Sequence, residues 1–142
     1  MVNNLSEKID IDFENIEKTL AQIDLIFQRK QIENIELTAL GGYMQNIYRG
    51  IENTMYLLLK HKEIKLTKDE KWHNEIVKLA VENNIISESL SMELKKYLKF
   101  RHKYIHGYGI DLDETILLPL AKEIKPLWIE LKTEIEKYMS KI

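Results

Sequence analysis

The 142-residue chain contains no cysteine. Disulfides and thiolate metal sites are therefore excluded, and a reducing cytoplasm is the compartment this composition implies. Proline occurs only twice and glycine five times, which leaves long stretches free of helix breakers. No apolar run approaches the roughly 18 residues that a membrane span needs. The N-terminal MVNNLSEKIDIDFE is too polar and acidic to supply a signal peptide's apolar core. A cytoplasmic protein without a membrane partner is expected. Strand-like alternation of apolar and polar residues is missing throughout. A global charge excess is missing as well, since the net charge is −2. Affinity for nucleic acid would have to come from a local patch.

What is present reads as one soluble helical domain over residues 1–142. Hydrophobic residues at 44% and charged residues at 31% suit a globular chain of this size. Apolar residues recur every three or four positions from Leu5 to about Arg29, through Ile9, Phe13, Ile16, Leu20, Ile23 and Phe27. A second helix is predicted over about Ile35–His61, carrying Leu37, Leu40, Met44, Ile47, Ile51, Met55 and Leu58. Gly41, Gly42 and Gly50 lie inside it and predict a kink or a close helix–helix approach. A phosphate-cradling loop at Gly41–Gly42 is disfavoured, because no Lys or Ser/Thr follows at P-loop spacing. Thr67 and Glu70 have capping-box spacing for a short third helix that Asn83–Asn84 ends. Ser87 or Ser89 can cap a fourth helix. After a turn at Gly107–Ile110, Asp111 or Asp113 can cap a fifth helix reaching about Met139, which Pro126 is expected to bend. The fold class is all-α, an antiparallel four-helix-type bundle with one additional short helix.

The chemistry concentrates in Lys95–Gly109, KKYLKFRHKYIHGYG. Lys95, Lys96, Lys99, Arg101 and Lys103 make it basic, and no acid follows before Asp111. On a helix, Leu90, Leu94, Tyr97, Leu98 and Ile105 share one face, and Arg101 projects into that apolar arc. A guanidinium there is expensive unless paired. It is either neutralised by a Glu from another helix, or it lines a groove and awaits a phosphate, which its planar fork suits. His106, just before the helix-terminating Gly107, sits where the helix dipole favours a protonated imidazole and can exchange protons near neutral pH. His102 and His106 are spaced to grip a metal, but no further ligands are near, so no metal is expected. His61 and His73 read as surface or packing residues. Tyr104 and Tyr108 can stack on bases, whereas Tyr97 belongs to packing.

Arg101-His102-Lys103-Tyr104-Ile105-His106-Gly107-Tyr108 resembles the R-x4-H-x-Y signature of HEPN ribonuclease toxins of the HepT type. The polar residue after the arginine, the Trp72-His73 pair on a short helix, and Tyr108-Gly109 before a long terminal helix are similar in kind and order. Met44–Glu52 and the first helix are generic and add little.

The resemblance implies a HEPN bundle that forms a homodimer with two motifs facing one cleft. It also implies a metal-independent, cofactor-free endoribonuclease, acting on RNA and at family level on tRNA, with Arg101 and His106 catalytic. Lys95, Lys96, Lys99 and Lys103 would follow the RNA backbone, and His102 or Tyr104 would position a base. The implied partner is a minimal nucleotidyltransferase (MNT) antitoxin that transfers AMP to Tyr108. The alternative is a non-catalytic HEPN module that binds a nucleotidyltransferase and presents substrate or nucleotide to it.

Overall fold

The computed structural model describes the backbone of residues 2–66, 72–106 and 114–142, and the side chains within 4–66, 73–101 and 114–142. Five α-helices follow one another: α1 (Val2–Phe27), α2 (Asn34–His61), α3 (Trp72–Glu82), α4 (Glu88–His106) and α5 (Glu114–Met139). Among the described residues there is no strand, and no helix is long and apolar enough to cross a membrane. The all-α bundle expected from the 3.6-residue period is what forms, with four long helices and the short α3.

The amphipathic stripes dictate the packing. Ile9, Phe13, Ile16, Leu20 and Ile23 of α1 are buried against Leu40, Met44, Ile47, Ile51, Met55 and Leu58 of α2. The order of the cross-contacts gives their direction: Asn46 Nδ2 donates to Thr19 Oγ1 at 2.9 Å, and Asn53 Nδ2 to Asp12 Oδ2 at 2.8 Å. Rising numbers on one helix meet falling numbers on the other, so α1 and α2 run antiparallel. Between these links a Cβ on Gly50 would lie 2.7 Å from Ile16 Cγ1. This glycine is the close approach that the sequence predicts. Gly41 and Gly42 lie within the uninterrupted helix α2, which removes the loop reading.

The remaining helices gather round α2, which packs against α1, α3, α4 and α5. The C-terminal ends of α2 and α3 are set by local chemistry. Glu63 (φ 64°) and Asn84 (φ 60°) adopt the left-handed conformation just past α2 and α3. In each case the next residue donates five positions back, Ile64 N to Leu59 O at 3.0 Å and Ile85 N to Ala80 O at 2.9 Å. This is the Schellman arrangement that satisfies terminal carbonyls. Asn84 ends α3 where the sequence predicts, since Asn tolerates αL better than most residues.

Ser87 caps α4, its Oγ accepting from Leu90 N at 3.3 Å. Glu134 of α5 fixes that cap by accepting from Ser87 N at 2.6 Å and from Ser87 Oγ at 3.0 Å. Trp128 of α5 is buried, meets Phe13 edge-on at 5.1 Å between centroids, and donates through Nε1 to Glu17 Oε2 at 3.1 Å. Pro119 and Pro126 both lie inside α5, which continues past them to Met139. The Thr67/Glu70 capping box, the Gly107–Ile110 turn and the Asp111 and Asp113 caps lie outside the described residues.

Candidate functional site at the meeting of three helices

Arg101 lies near the end of α4, one position beyond the buried Phe100 and four beyond the buried Tyr97. Its inward position follows from that register, and its side chain is only 13% exposed. Two side chains from other helices meet it. Glu52, buried on α2, places Oε1 3.8 Å from Arg101 Nε. His73, at the start of α3, approaches Glu52 Oε2 through Nδ1 at 2.6 Å and Arg101 Nη1 through Nε2 at 3.1 Å.

The hydrogen-bond partners assign the imidazole. A guanidinium can only donate, so His73 Nε2 must accept through its lone pair. The ring proton is then on Nδ1, where the Glu52 carboxylate accepts it. His73 is thus a neutral ring joining an anion to a cation. The expectation that His73 serves as a surface or packing residue is corrected here: it is the middle member of a polar cluster. His61, by contrast, is exposed at the end of α2.

Glu52 carries the main electrostatic tension of the cluster. Burial pushes its carboxyl above the usual carboxylate range, while the His73 hydrogen bond and the charges of Arg101 and Arg49 pull the other way without prevailing. The 3.8 Å approach to Arg101 is an ion pair without a hydrogen bond, and Arg101 Nε has no hydrogen-bond partner in its buried position. Of the arginine's three nitrogens, only Nη1 makes a described hydrogen bond. Tyr48, one helical turn before Glu52, also buries a hydroxyl without a partner. Burial first, and then the Glu52 charge, pushes that phenol well above its ordinary value.

Of the two readings of Arg101 left open by the sequence, the first is what the bundle shows. A Glu from another helix does neutralise it, yet the pairing is long and leaves donors unused. Glu52 was missed because Met44–Glu52 reads as ordinary amphipathic helix. The available signal is that Tyr48, Glu52, Met55 and Leu59 fall at helical spacing on one stripe, an acid among buried residues.

The rest of the basic segment separates by face. Leu90, Leu94 and Tyr97 are buried, and Tyr97 donates its hydroxyl to Leu120 O at 2.9 Å, so its assignment to packing holds. Lys95, Lys96 and Lys99 are exposed, with Lys96 reaching Glu93 at 3.0 Å. His106 is the last residue of α4. The side chains of His102, Lys103, Tyr104, Ile105 and His106, and Tyr108 altogether, lie outside the described residues.

Compared with known families, residues 39–142 match the family described as HepT-like protein. That span takes in Glu52, His73, Arg101 and the whole R-x4-H-x-Y motif. The chain belongs to the HepT-like family. At the level of the family this means a HEPN-type ribonuclease toxin. Neither the curated proteins nor the solved structures contain a match. The HepT-like assignment therefore rests on the family match together with the motif and the helical bundle.

Proposed function

We propose that this HepT-like chain is a metal-independent endoribonuclease toxin, acting as a homodimer on RNA, with tRNA the favoured class. The observation that carries this reading is Arg101: an inward guanidinium on α4, with one described hydrogen-bonding nitrogen, five residues before His106 in the same helix. Along the axis that spacing is about 7.5 Å.

RNA supplies its own nucleophile. The 2′-oxygen attacks the adjacent phosphorus, its proton passes to a base, and the P–O5′ bond breaks as the 5′-oxygen takes up a proton. His106 handles one of these protons and its copy in the second subunit the other. Arg101 stabilises the charge that develops on the phosphoryl oxygens. Lys95, Lys96, Lys99 and Lys103 follow the backbone phosphates, and His102 or Tyr104 positions a base. An MNT-type nucleotidyltransferase silences the enzyme when the Tyr108 oxygen attacks the α-phosphorus of ATP and pyrophosphate leaves. The added AMP places bulk and negative charge two residues from His106.

The test is cleavage of total RNA with the fragment ends mapped. Wild-type protein is expected to leave 2′,3′-cyclic phosphate and 5′-hydroxyl ends. His106→Ala should lose roughly 10²- to 10⁴-fold in rate, and Arg101→Ala roughly 10²- to 10³-fold. Wild-type rates in both variants would remove the catalytic assignment. Mass spectrometry after incubation with the partner and ATP should find AMP on Tyr108.

One observation favours the alternative of a non-catalytic HEPN module that presents substrate or nucleotide to its partner. The Arg101 charge is already balanced by Glu52, so it needs no RNA. Expression without the neighbouring gene separates the two readings, since only the nuclease arrests growth.

A further inference from the structure

We propose that His73 and Glu52 are positioning residues for Arg101: Glu52 holds the His73 proton on Nδ1, and the bare Nε2 accepts from Arg101 Nη1 and fixes the guanidinium. The inference rests on the nuclease reading for its catalytic consequence, although the hydrogen-bond arrangement stands apart from it.

The geometry is directional. A carboxylate alone would draw Arg101 into a two-pronged pair, occupying two of its nitrogens. Here Glu52 keeps its shortest contact, 2.6 Å, for His73 and stands 3.8 Å from Arg101 Nε. The imidazole then supplies the arginine with a single neutral acceptor at 3.1 Å. Charge balance and orientation are divided between two residues. Glu52 offsets the positive charge over a distance too long for a hydrogen bond, and His73 sets the direction without consuming the remaining donors.

The three residues come from three different helices, α2, α3 and α4, so the bundle itself fixes their separation. A histidine in the opposite tautomer, or protonated, would present an N–H to the Nη1 N–H, and the contact would be lost. The carboxylate of Glu52 selects the proton position that avoids this, as carboxylates do when they fix the tautomer of a functional imidazole.

The experiment uses the full chain as wild type, His73→Ala, Glu52→Gln and Arg101→Ala. Long-range ¹H–¹⁵N correlation of His73 at neutral pH is expected to show a protonated, pyrrole-like Nδ1 and a pyridine-like Nε2. The opposite tautomer, or an imidazolium, would overturn the arrangement. In RNA cleavage, His73→Ala should lower kcat by roughly 10- to 100-fold, the loss that misplacing a reacting group by about an ångström causes, with KM nearly unchanged. Added imidazole should restore a measurable part of kcat.

Unchanged kcat in His73→Ala alongside a strong defect in Arg101→Ala would sink the positioning role while leaving the nuclease reading intact. A loss of kcat that tracks thermal destabilisation and resists imidazole would also sink it, because a structural filler predicts that pattern. If wild-type protein cuts no RNA, the nuclease reading falls, and the tautomer measurement still decides the arrangement.

Discussion

Glu52→Gln separates stability from activity, and the structure gives the sign of each effect. The carboxylate is buried, with a hydrogen-bonding histidine at 2.6 Å and a guanidinium at 3.8 Å. At an effective dielectric of about 20, the gross attraction across the longer contact is about 4 kcal/mol. Removing an ion from water offsets several kcal/mol of such attraction. The raised Glu52 pKa says which effect wins: burial outweighs His73, Arg101 and Arg49 together. A carboxyl whose folded pKa lies above its unfolded value adds most stability when protonated, and this declines as pH rises from the unfolded pKa through the folded one. Gln has the shape of the protonated acid and retains an oxygen for His73.

At neutral pH Glu52→Gln should therefore leave the fold as stable as wild type or up to about 1 kcal/mol more stable, a rise of no more than roughly 4 °C in Tm. Arg101 in the same variant loses its counter-charge, and His73 loses the anion that holds its tautomer. RNA cleavage should fall at least roughly tenfold, equivalent to about 1.4 kcal/mol in the barrier. Thermal melting by circular dichroism and initial cleavage rates measure the two sides. A Tm drop corresponding to more than about 2 kcal/mol would refute the argument that burial dominates, and an unchanged rate would refute the link to Arg101.

Two further predictions concern the contacts of α1 with α2 and α5. Gly50→Ala gains about 1 kcal/mol in helix propensity but sets a methyl 2.7 Å from Ile16 Cγ1 and 2.9 Å from Cδ1. Overpacking of about 1–3 kcal/mol should prevail, so Tm falls in the wild-type background and rises when the same substitution is made on Ile16→Ala, where both atoms are gone. Equal effects in both backgrounds would exclude the contact. Glu17 is held below the usual carboxylate range, first by the Lys132 hydrogen bond and then by that from Trp128. Its contribution is present above the unfolded pKa and is lost as pH falls through the folded one. With Glu17 46% exposed, solvent screening keeps it below about 1 kcal/mol. An acid-side change in tryptophan fluorescence should disappear in Glu17→Gln, and its persistence would rule out Glu17 as the titrating group.

The fold was legible because helical order is local. Spacings of three and four residues located every long helix to within a few positions, and Asn84 and Ser87 ended and began helices through short-range hydrogen bonds. Arg101 was visible as a charge inside an apolar arc for the same reason. Its partners were not. Glu52 is 49 positions earlier and His73 is 28, and no periodicity on one helix reports what another helix brings to it. Glu52 looked like one acid among many solvated ones, and the bundle alone reveals that its stripe faces inward.

The way Arg101 is paired bears on why it is there at all. A buried ion pair is a weak source of stability, and well-packed apolar side chains of similar volume often serve the fold as well or better. If Arg101 only filled the core, a closely bonded fork on Glu52 would satisfy both charges best. Instead Glu52 gives its short contact to His73, Arg101 Nε stays buried without a hydrogen bond, and the nearby Tyr48 hydroxyl is unpartnered as well. Each unmade bond to a buried polar group costs about 1–3 kcal/mol. A fold selected for stability alone has no use for two such unmade bonds beside one buried ion pair. They fit the role proposed for Arg101, a cation held fixed yet under-bonded for an anion that arrives with the substrate.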